Sequence, residues 1–234
     1  MNSETNQVAR DNVAKNLLKN KPLLVSDPLI RPISNGRKTE TRRVNGLDWV
    51  NELPDEWEFV SLENNAAKFK RVGVPPEICT LSCRYGPPGT ILWVRENWYV
   101  GRGYNGVKPR DIPAGRMVKR GYMGDGPRPE WAGRVRPSMH MPRWLCRYEL
   151  EVLKIGVERV QSITEDGAKR EGVQPGIFRD GPNTEKGEFH LEHNIHGSHL
   201  AGFKFTWMTL NGRQSWDLNP WVWVISFKLK NPIK

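Results

Sequence analysis

The chain has 234 residues, of which 37% are hydrophobic and 26% charged, with 22 Gly and 18 Pro; this is the length of one β-rich domain or two small ones and excludes a disulfide miniprotein or a fibre. Its formal net charge of +10 favours polyanionic partners such as RNA or DNA. No apolar run approaches the roughly 18 residues of a membrane helix, and MNSETNQVARDNVAKNLLKNK lacks the apolar core of a secretory signal, so a cytoplasmic protein without membrane contact is expected.

Residues 1–20 read as a polar tail whose apolar positions Val8, Val13, Leu17 and Leu18 make at most a marginal helix. Pro22 to Ser26 predicts a short buried strand, and Asp27-Pro28 supplies an N-cap and a first-turn proline for a helix over 27–36. Trp57 to Leu62 and Ala66 to Val72 flank Glu63-Asn64-Asn65 in the pattern of a hairpin. Thr90 to Arg95 has the β-branched and aromatic content of a strand. Arg147 to Ile155 alternates as a half-buried strand should, and Val157 to Ile163 predicts a second short strand pairing with it. Thr164 caps a predicted helix ending at Glu171 and stopped by Gly172; Phe203 to Asn211 predicts an aromatic helix; Trp221 to Leu229 is the strongest strand signal. Many short strands with few short helices predict an α+β fold, a small mixed β-barrel with flanking helices. Residues 21–234 would form one domain, with loop insertions at about 101–146 and 174–202.

The charge excess is concentrated. Between Gly101 and Arg147 there are eleven Lys/Arg against three acidic residues, with eight Gly and six Pro. So few apolar residues predict a long basic loop without a core of its own. It can lie over a phosphate backbone, with Arg134, Arg136 and Arg143 on phosphates and Trp144 or Trp131 stacking on unpaired bases; the same composition also describes a solvated charged loop.

Gly36-Arg-Lys-Thr-Glu-Thr-Arg-Arg43 packs four cations beside two threonines. Like charges so close either face water or line an anionic site. No P-loop, HExxH, GxSxG or CxxC pattern occurs, which removes the common NTP, zincin and hydrolase-elbow readings. His190, His193, His196 and His199 recur at every third residue near Glu188 and Glu192, but Asn194 and Gly197 interrupt the run, so a solvated histidine-rich loop is expected and no metal or cofactor. Cys79, Cys83 and Cys146, an odd count without a framework spacing, read as reduced thiols.

The pattern G-x-K-x-x-T-x-R at Gly36, Lys38, Thr41 and Arg43 resembles the signature of the ASCH domain, a PUA-like barrel found in bacterial and phage proteins. Gly89-Thr-Ile-Leu-Trp-Val-Arg-Glu96 is similar to a strand of that family, Ile163 to Gly172 to its I-T-x-x-x-A-x-x-E-G helix, and Asn219 to Phe227 to the closing strand of phage-borne members. These matches cover most of the chain outside the tail and the insertions. The resemblance implies a PUA-like fold and, from small bacterial members that are acetylcytidine amidohydrolases, a site of Lys38, Thr41 and Glu171. In that reading Thr41 is the nucleophile and Lys38 its base, which requires a lowered lysine pKa. Arg42 and Arg43 would lower it, Glu171 would oppose the shift, and Arg43 or backbone N–H groups would hold the oxyanion. Trp93, Arg95 and Glu96 become candidate substrate contacts, Trp93 stacking on the base; Trp93 is equally readable as core and Arg95 as a rim ion pair. The expected partner is a modified nucleoside or RNA/DNA, with no dedicated protein partner. The alternative is a non-catalytic RNA/DNA-binding module.

Overall fold

The computed structural model describes residues 20–73, 77–115, 117–179, 188–190 and 197–232; the predicted tail up to residue 19, and His193 and His196 of the histidine run, lie outside them. In chain order the regular elements are β1 (Lys21–Leu24), α1 (Ile30–Ser34), β2 (Glu40–Arg43), α2 (Asp48–Asn51), β3 (Trp57–Glu63), β4 (Ala66–Arg71), β5 (Ile78–Ser82), β6 (Ile91–Arg95), β7 (Trp98–Val100), β8 (Arg120–Tyr122), β9 (Tyr148–Arg159), α3 (Glu165–Arg170), β10 (Ile177–Arg179), β11 (Glu188–His190), α4 (His199–Asn211), α5 (Gln214–Asp217) and β12 (Trp221–Pro232). The fold is mixed α+β. Among the described residues no helix is long and apolar enough to cross a membrane.

The described residues fall into two compact units, 20–36, 89–151 and 228–232 in the first, 37–88 and 152–227 in the second. In the first, β1 runs parallel to β6 and β6 antiparallel to the start of β9. Pro22 is tolerated in β1 because this is an edge strand. Leu92 and Val94 are buried while Trp93 and Arg95 stand half-buried on the other face of β6, as period-two alternation requires. β7 and β8 form a separate two-stranded ladder.

The segment 101–146 is not the coreless loop its composition predicts. Ile112, Val118, Tyr122, Met141 and Leu145 are buried with Trp98 and Val100 in one hydrophobic cluster. The apolar residues are few, but they converge on two strand residues outside the segment, and that is enough to order it.

In the second unit the remainder of β9 lies beside β12, and β12 pairs antiparallel with β2. β3, β4 and β5 form their own antiparallel sheet. The β3–β4 turn is the predicted one: Asn64 and Asn65 both have positive φ, +48° and +69°, the conformation of a hairpin turn that asparagine tolerates. Thr164 caps α3 as predicted, its side chain accepting from the Gly167 N–H.

Three expectations are corrected. Among the described residues no sheet closes into a barrel; β1 and β2 are four-residue end strands, too short to close a ring, and β3 to β5 pair only with one another. β9 is one twelve-residue strand, followed by a 3-10 turn at 160–162, rather than two strands; Gly156 passes through it next to the Val224 side chain. Helix α4 begins at His199, four residues early, because the Ser198 hydroxyl caps it and the Glu165 carboxylate accepts the His199 and Leu200 N–H groups.

Gly202 marks a close approach within this unit: a Cβ there would lie 1.9 Å from the Gln174 carbonyl oxygen. Gly202→Ala is expected to cost about 1–3 kcal/mol through overpacking, in spite of alanine's better helix propensity. A thermal scan reads this as a fall in Tm of roughly 2–4 °C per kcal/mol; an unchanged or higher Tm would show that the contact yields freely.

Candidate functional site

The second unit gathers charge around the end of α3. The chain leaves α1 through Gly36, in the left-handed region at φ +75°. The entry to β2 is then pinned at Thr39, whose N–H donates to the Arg170 carbonyl and whose carbonyl accepts from the Phe227 N–H, each at 2.8 Å. This brings Lys38 to the C-terminus of α3. Its ammonium donates to the Glu171 carbonyl at 2.8 Å, the Glu40 carbonyl at 2.9 Å and Glu171 Oε2 at 2.5 Å, so all three of its protons have acceptors. One of those acceptors is a helix-terminal carbonyl of the kind a cation satisfies best.

Lys38 is 2% exposed. Burial pushes its pKa below the ordinary lysine value; the Glu171 carboxylate pulls it back up, and the Arg43 and Arg42 guanidinium groups push it further down. These are the opposing influences expected from the sequence.

Around the pair stand further charged groups, of which sequence reasoning assigned Arg42 alone. Glu40 and Arg42, two apart in β2, share one face. Arg42 donates to Glu158 Oε1 at 2.7 Å and, at 3.4 Å, to Glu171 Oε1, with its guanidinium 5.8 Å from the centre of the Phe203 ring. Glu40 Oε1 accepts from Ser226 and from Arg170, while among the described residues Oε2 has only the Arg42 charge at 3.6 Å and no hydrogen bond. Lys38, Arg42 and Arg170 thus face Glu40, Glu158 and Glu171, three charges against three. Glu40 was legible as the alternate of Arg42; Glu158, on β9, carried no sequence signal.

Thr41 is buried and pairs through its backbone with Ile225 of β12. Alternation puts it, with Arg43, on the face of β2 opposite to Glu40 and Arg42. Among the described residues Thr41 makes no side-chain hydrogen bond to Lys38 or Glu171. Of the three residues expected to act together, Lys38 and Glu171 are in contact and Thr41 is three positions along the same strand entry.

The other candidates belong to the first unit. Trp93 and Arg95 do share a face, with the guanidinium 5.1 Å from the centre of the ring, and Arg143 lies 5.5 Å from the same ring. Glu96 is fully buried and both its oxygens are taken by Arg147 at 2.8 and 2.7 Å, so it is an internal ion-pair partner rather than a substrate contact. Burial raises its pKa against the pull of Arg147. Arg134 is exposed. Arg136 is 3% exposed, donates to the Tyr104 carbonyl and lies over Trp98, which encloses it instead of presenting it to a phosphate. Arg143 pairs with Glu149, and Trp144 packs half-buried against the cluster of the first unit. Trp131 leans on Tyr99 at 5.7 Å.

His199 is held by Glu165 at the start of α4, and no group of three metal-ligating side chains occurs among the described residues. The chain matches no protein-family model, no curated protein and no solved structure.

Proposed function

We propose that this is a PUA-like protein of the ASCH type that hydrolyses the acyl amide of a modified pyrimidine nucleoside of the acetylcytidine kind, in the cytoplasm of a bacterium or its phage-infected host. The observation that supports this reading is Lys38, a lysine enclosed at 2% exposure and kept below its ordinary pKa, three residues before a buried threonine. A buried lysine is costly, and groups perturbed by burial together with a charge partner concentrate at functional sites.

In this reading Lys38 gives up its proton to solvent by way of Glu171 and becomes a neutral amine. The amine accepts the Thr41 hydroxyl proton as Oγ1 bonds to the acyl carbon. The C–N bond then breaks, the departing cytosine amino group takes the proton back from Lys38, and water activated by the same base releases the carboxylic acid from Thr41. Arg43 is the candidate to face the oxyanion. Because Thr41 stands on the face of β2 opposite to Glu40 and Arg42, this reading requires the strand entry to shift with substrate bound so that Thr41 reaches Lys38.

The test is incubation of the wild type, Thr41→Ala and Thr41→Ser with acetylcytidine and a panel of acylated pyrimidine nucleosides, with products separated by chromatography and identified by mass. Thr41→Ala is expected to abolish turnover without loss of fold, and Thr41→Ser to keep part of it. The wild-type rate should rise with pH through a value below 10.5, because the neutral amine is the active form. A folded wild type that turns over no member of the panel overturns the reading.

A second reading, an RNA- or DNA-binding module without catalysis, draws on the eleven Lys/Arg of residues 101–147, of which Arg102, Lys108, Arg110, Lys119, Arg120, Arg128 and Arg134 are exposed.

A further inference from the structure

The first unit contains an open cleft of about 540 Å³ lined by Arg95, Lys108, Pro109, Arg110, His140, Met141 and Pro142. Three of these seven residues carry a full positive charge, a fourth is histidine, and none is a carboxylate. Clefts of one sign with low-dielectric walls concentrate counter-charge.

Arg95 stands at the strand end of this cleft. One guanidinium nitrogen donates to the Met139 carbonyl, Nε is buried without a hydrogen-bond partner, and no carboxylate pairs with it among the described residues. Burial alone holds its pKa down, as befits a guanidinium without a counter-charge. Lys108 likewise has no ion pair among the described residues. Arg110 has only Asp111, at 3.7 Å and on an exposed pair. Elsewhere in the same unit Arg143 pairs with Glu149 and Arg147 with Glu96 and Asp125, while Arg102, Arg120, Arg128 and Arg136 donate to backbone carbonyls. The cleft thus joins three cations to one histidine with no carboxylate in its lining.

The remaining lining is apolar. Pro109 and Pro142, both half-buried, offer flat surfaces suited to a sugar or a base edge, over the buried Met141. The geometry points to a site for the phosphate group of a nucleoside phosphate ester, carried by a free nucleotide or by a nucleic-acid backbone, with Arg95, Lys108, Arg110 and His140 around the phosphate. This assignment rests on the binding reading above and gives it a place; it uses none of Lys38, Thr41 or Glu171, nor Arg134, Arg136 or Arg143, and of the residues expected from sequence it keeps Arg95.

Lys108 and Arg110 are exposed, so Lys108→Ala/Arg110→Ala removes two charges without opening a core. Lys68→Ala/Lys70→Ala, on exposed positions of β4, removes the same charge from the other unit. Binding of a labelled single-stranded oligonucleotide and of a nucleoside 5′-monophosphate is measured for the full chain by fluorescence anisotropy and calorimetry over a salt series. The cleft variant is expected to bind the oligonucleotide at least 10-fold more weakly and to lose about 1.4 from the slope of log K against log salt, at roughly 0.7 per phosphate contact on a single strand. The β4 variant should match the wild type. Arg95→Lys should retain more affinity than Arg95→Gln, since it keeps the charge and loses only the fork. Loss on both ligands identifies a nucleotide site, and loss on the oligonucleotide alone identifies a backbone site; both support the assignment. Equal loss in the cleft and β4 variants, or none in either while the wild type binds, overturns the cleft and leaves the binding reading standing. A wild type that binds neither ligand overturns both.

Discussion

Glu171→Ala is expected to lower the free energy of unfolding by about 3–5 kcal/mol, the usual cost of removing one partner of a buried ion pair. Among the described residues the Glu171 carboxylate is the only charged acceptor of the Lys38 ammonium, at 2.5 Å, and it is a further partner of Arg42 at 3.4 Å. Without it the ammonium keeps two carbonyls but no counter-charge, in a place where its own side chain is fully covered. Glu171→Gln, which keeps an acceptor and loses the charge, should fall between the wild type and the alanine variant. Lys38→Met/Glu171→Leu should be more stable than Glu171→Ala, because an apolar pair leaves no uncompensated charge. Denaturant unfolding of Lys38→Met, Glu171→Leu and their double reads the coupling directly. If the singles and the double add within about 0.5 kcal/mol, the pair is not joined in solution.

The same pair has a pH signature of fixed sign. Because burial holds the folded pKa of Lys38 below 10.5, between that lowered value and 10.5 the unfolded chain keeps a proton that the folded chain has released. Stability then rises with pH across that window. The difference in stability between the wild type and Lys38→Met should shift in favour of the wild type as pH climbs from 8 to 10. A difference that is constant or moves the other way would mean that the lysine is held protonated by Glu171 throughout, which also removes it as a base.

What could be read from the sequence was mostly local. Asn64-Asn65 specifies its turn by tolerating positive φ, and Thr164 with Gly172 brackets α3 by capping chemistry that acts over three or four residues. The length of β9 escaped because Gly156 looks like a break; whether a glycine interrupts a strand depends on its neighbour, here Val224, 68 positions away in the chain. The ordering of 101–146 escaped for a related reason. Its buried residues, Ile112, Val118, Tyr122, Met141 and Leu145, are too sparse for any window to register and form a core only with Trp98 and Val100. At the site, Lys38 and Glu171 are 133 positions apart, and no periodicity links them; only the family resemblance named both. It did not name Glu158. The arginines counted as phosphate ligands show the opposite failure, since composition reports that a residue is charged and not that, as with Arg136, the charge is enclosed against Trp98.

Arg147→Met is expected to cost about as much as Glu171→Ala, roughly 3–5 kcal/mol at neutral pH, in the other unit. The Arg147 guanidinium grips Glu96 with two nitrogens and Asp125 with the third, and lies 4.0 Å from the centre of the Tyr122 ring and 5.0 Å from that of Tyr148. Glu96 is 0% exposed, so in the variant its carboxylate is buried alone. Burial already raises its pKa with Arg147 present; without that opposing charge the rise must be larger. The folded variant then binds a proton at pH values where the unfolded chain has lost it, so its stability increases as pH falls through the raised pKa towards the ordinary 4.5. The deficit relative to the wild type should therefore be greatest near pH 8 and shrink by pH 5, and Arg147→Met/Glu96→Gln should recover part of it at pH 8, because the amide carries no charge to strand. Arg147→Lys keeps a cation but loses the two-nitrogen grip and the flat face over the tyrosines, and should lie between. Guanidinium unfolding at pH 5, 6.5 and 8 separates two origins of the loss. A deficit that does not change with pH would place the cost in the lost ring contacts with Tyr122 and Tyr148, whereas one that closes in acid places it on Glu96, and with it the charge balance that lets this strand end in a buried glutamate.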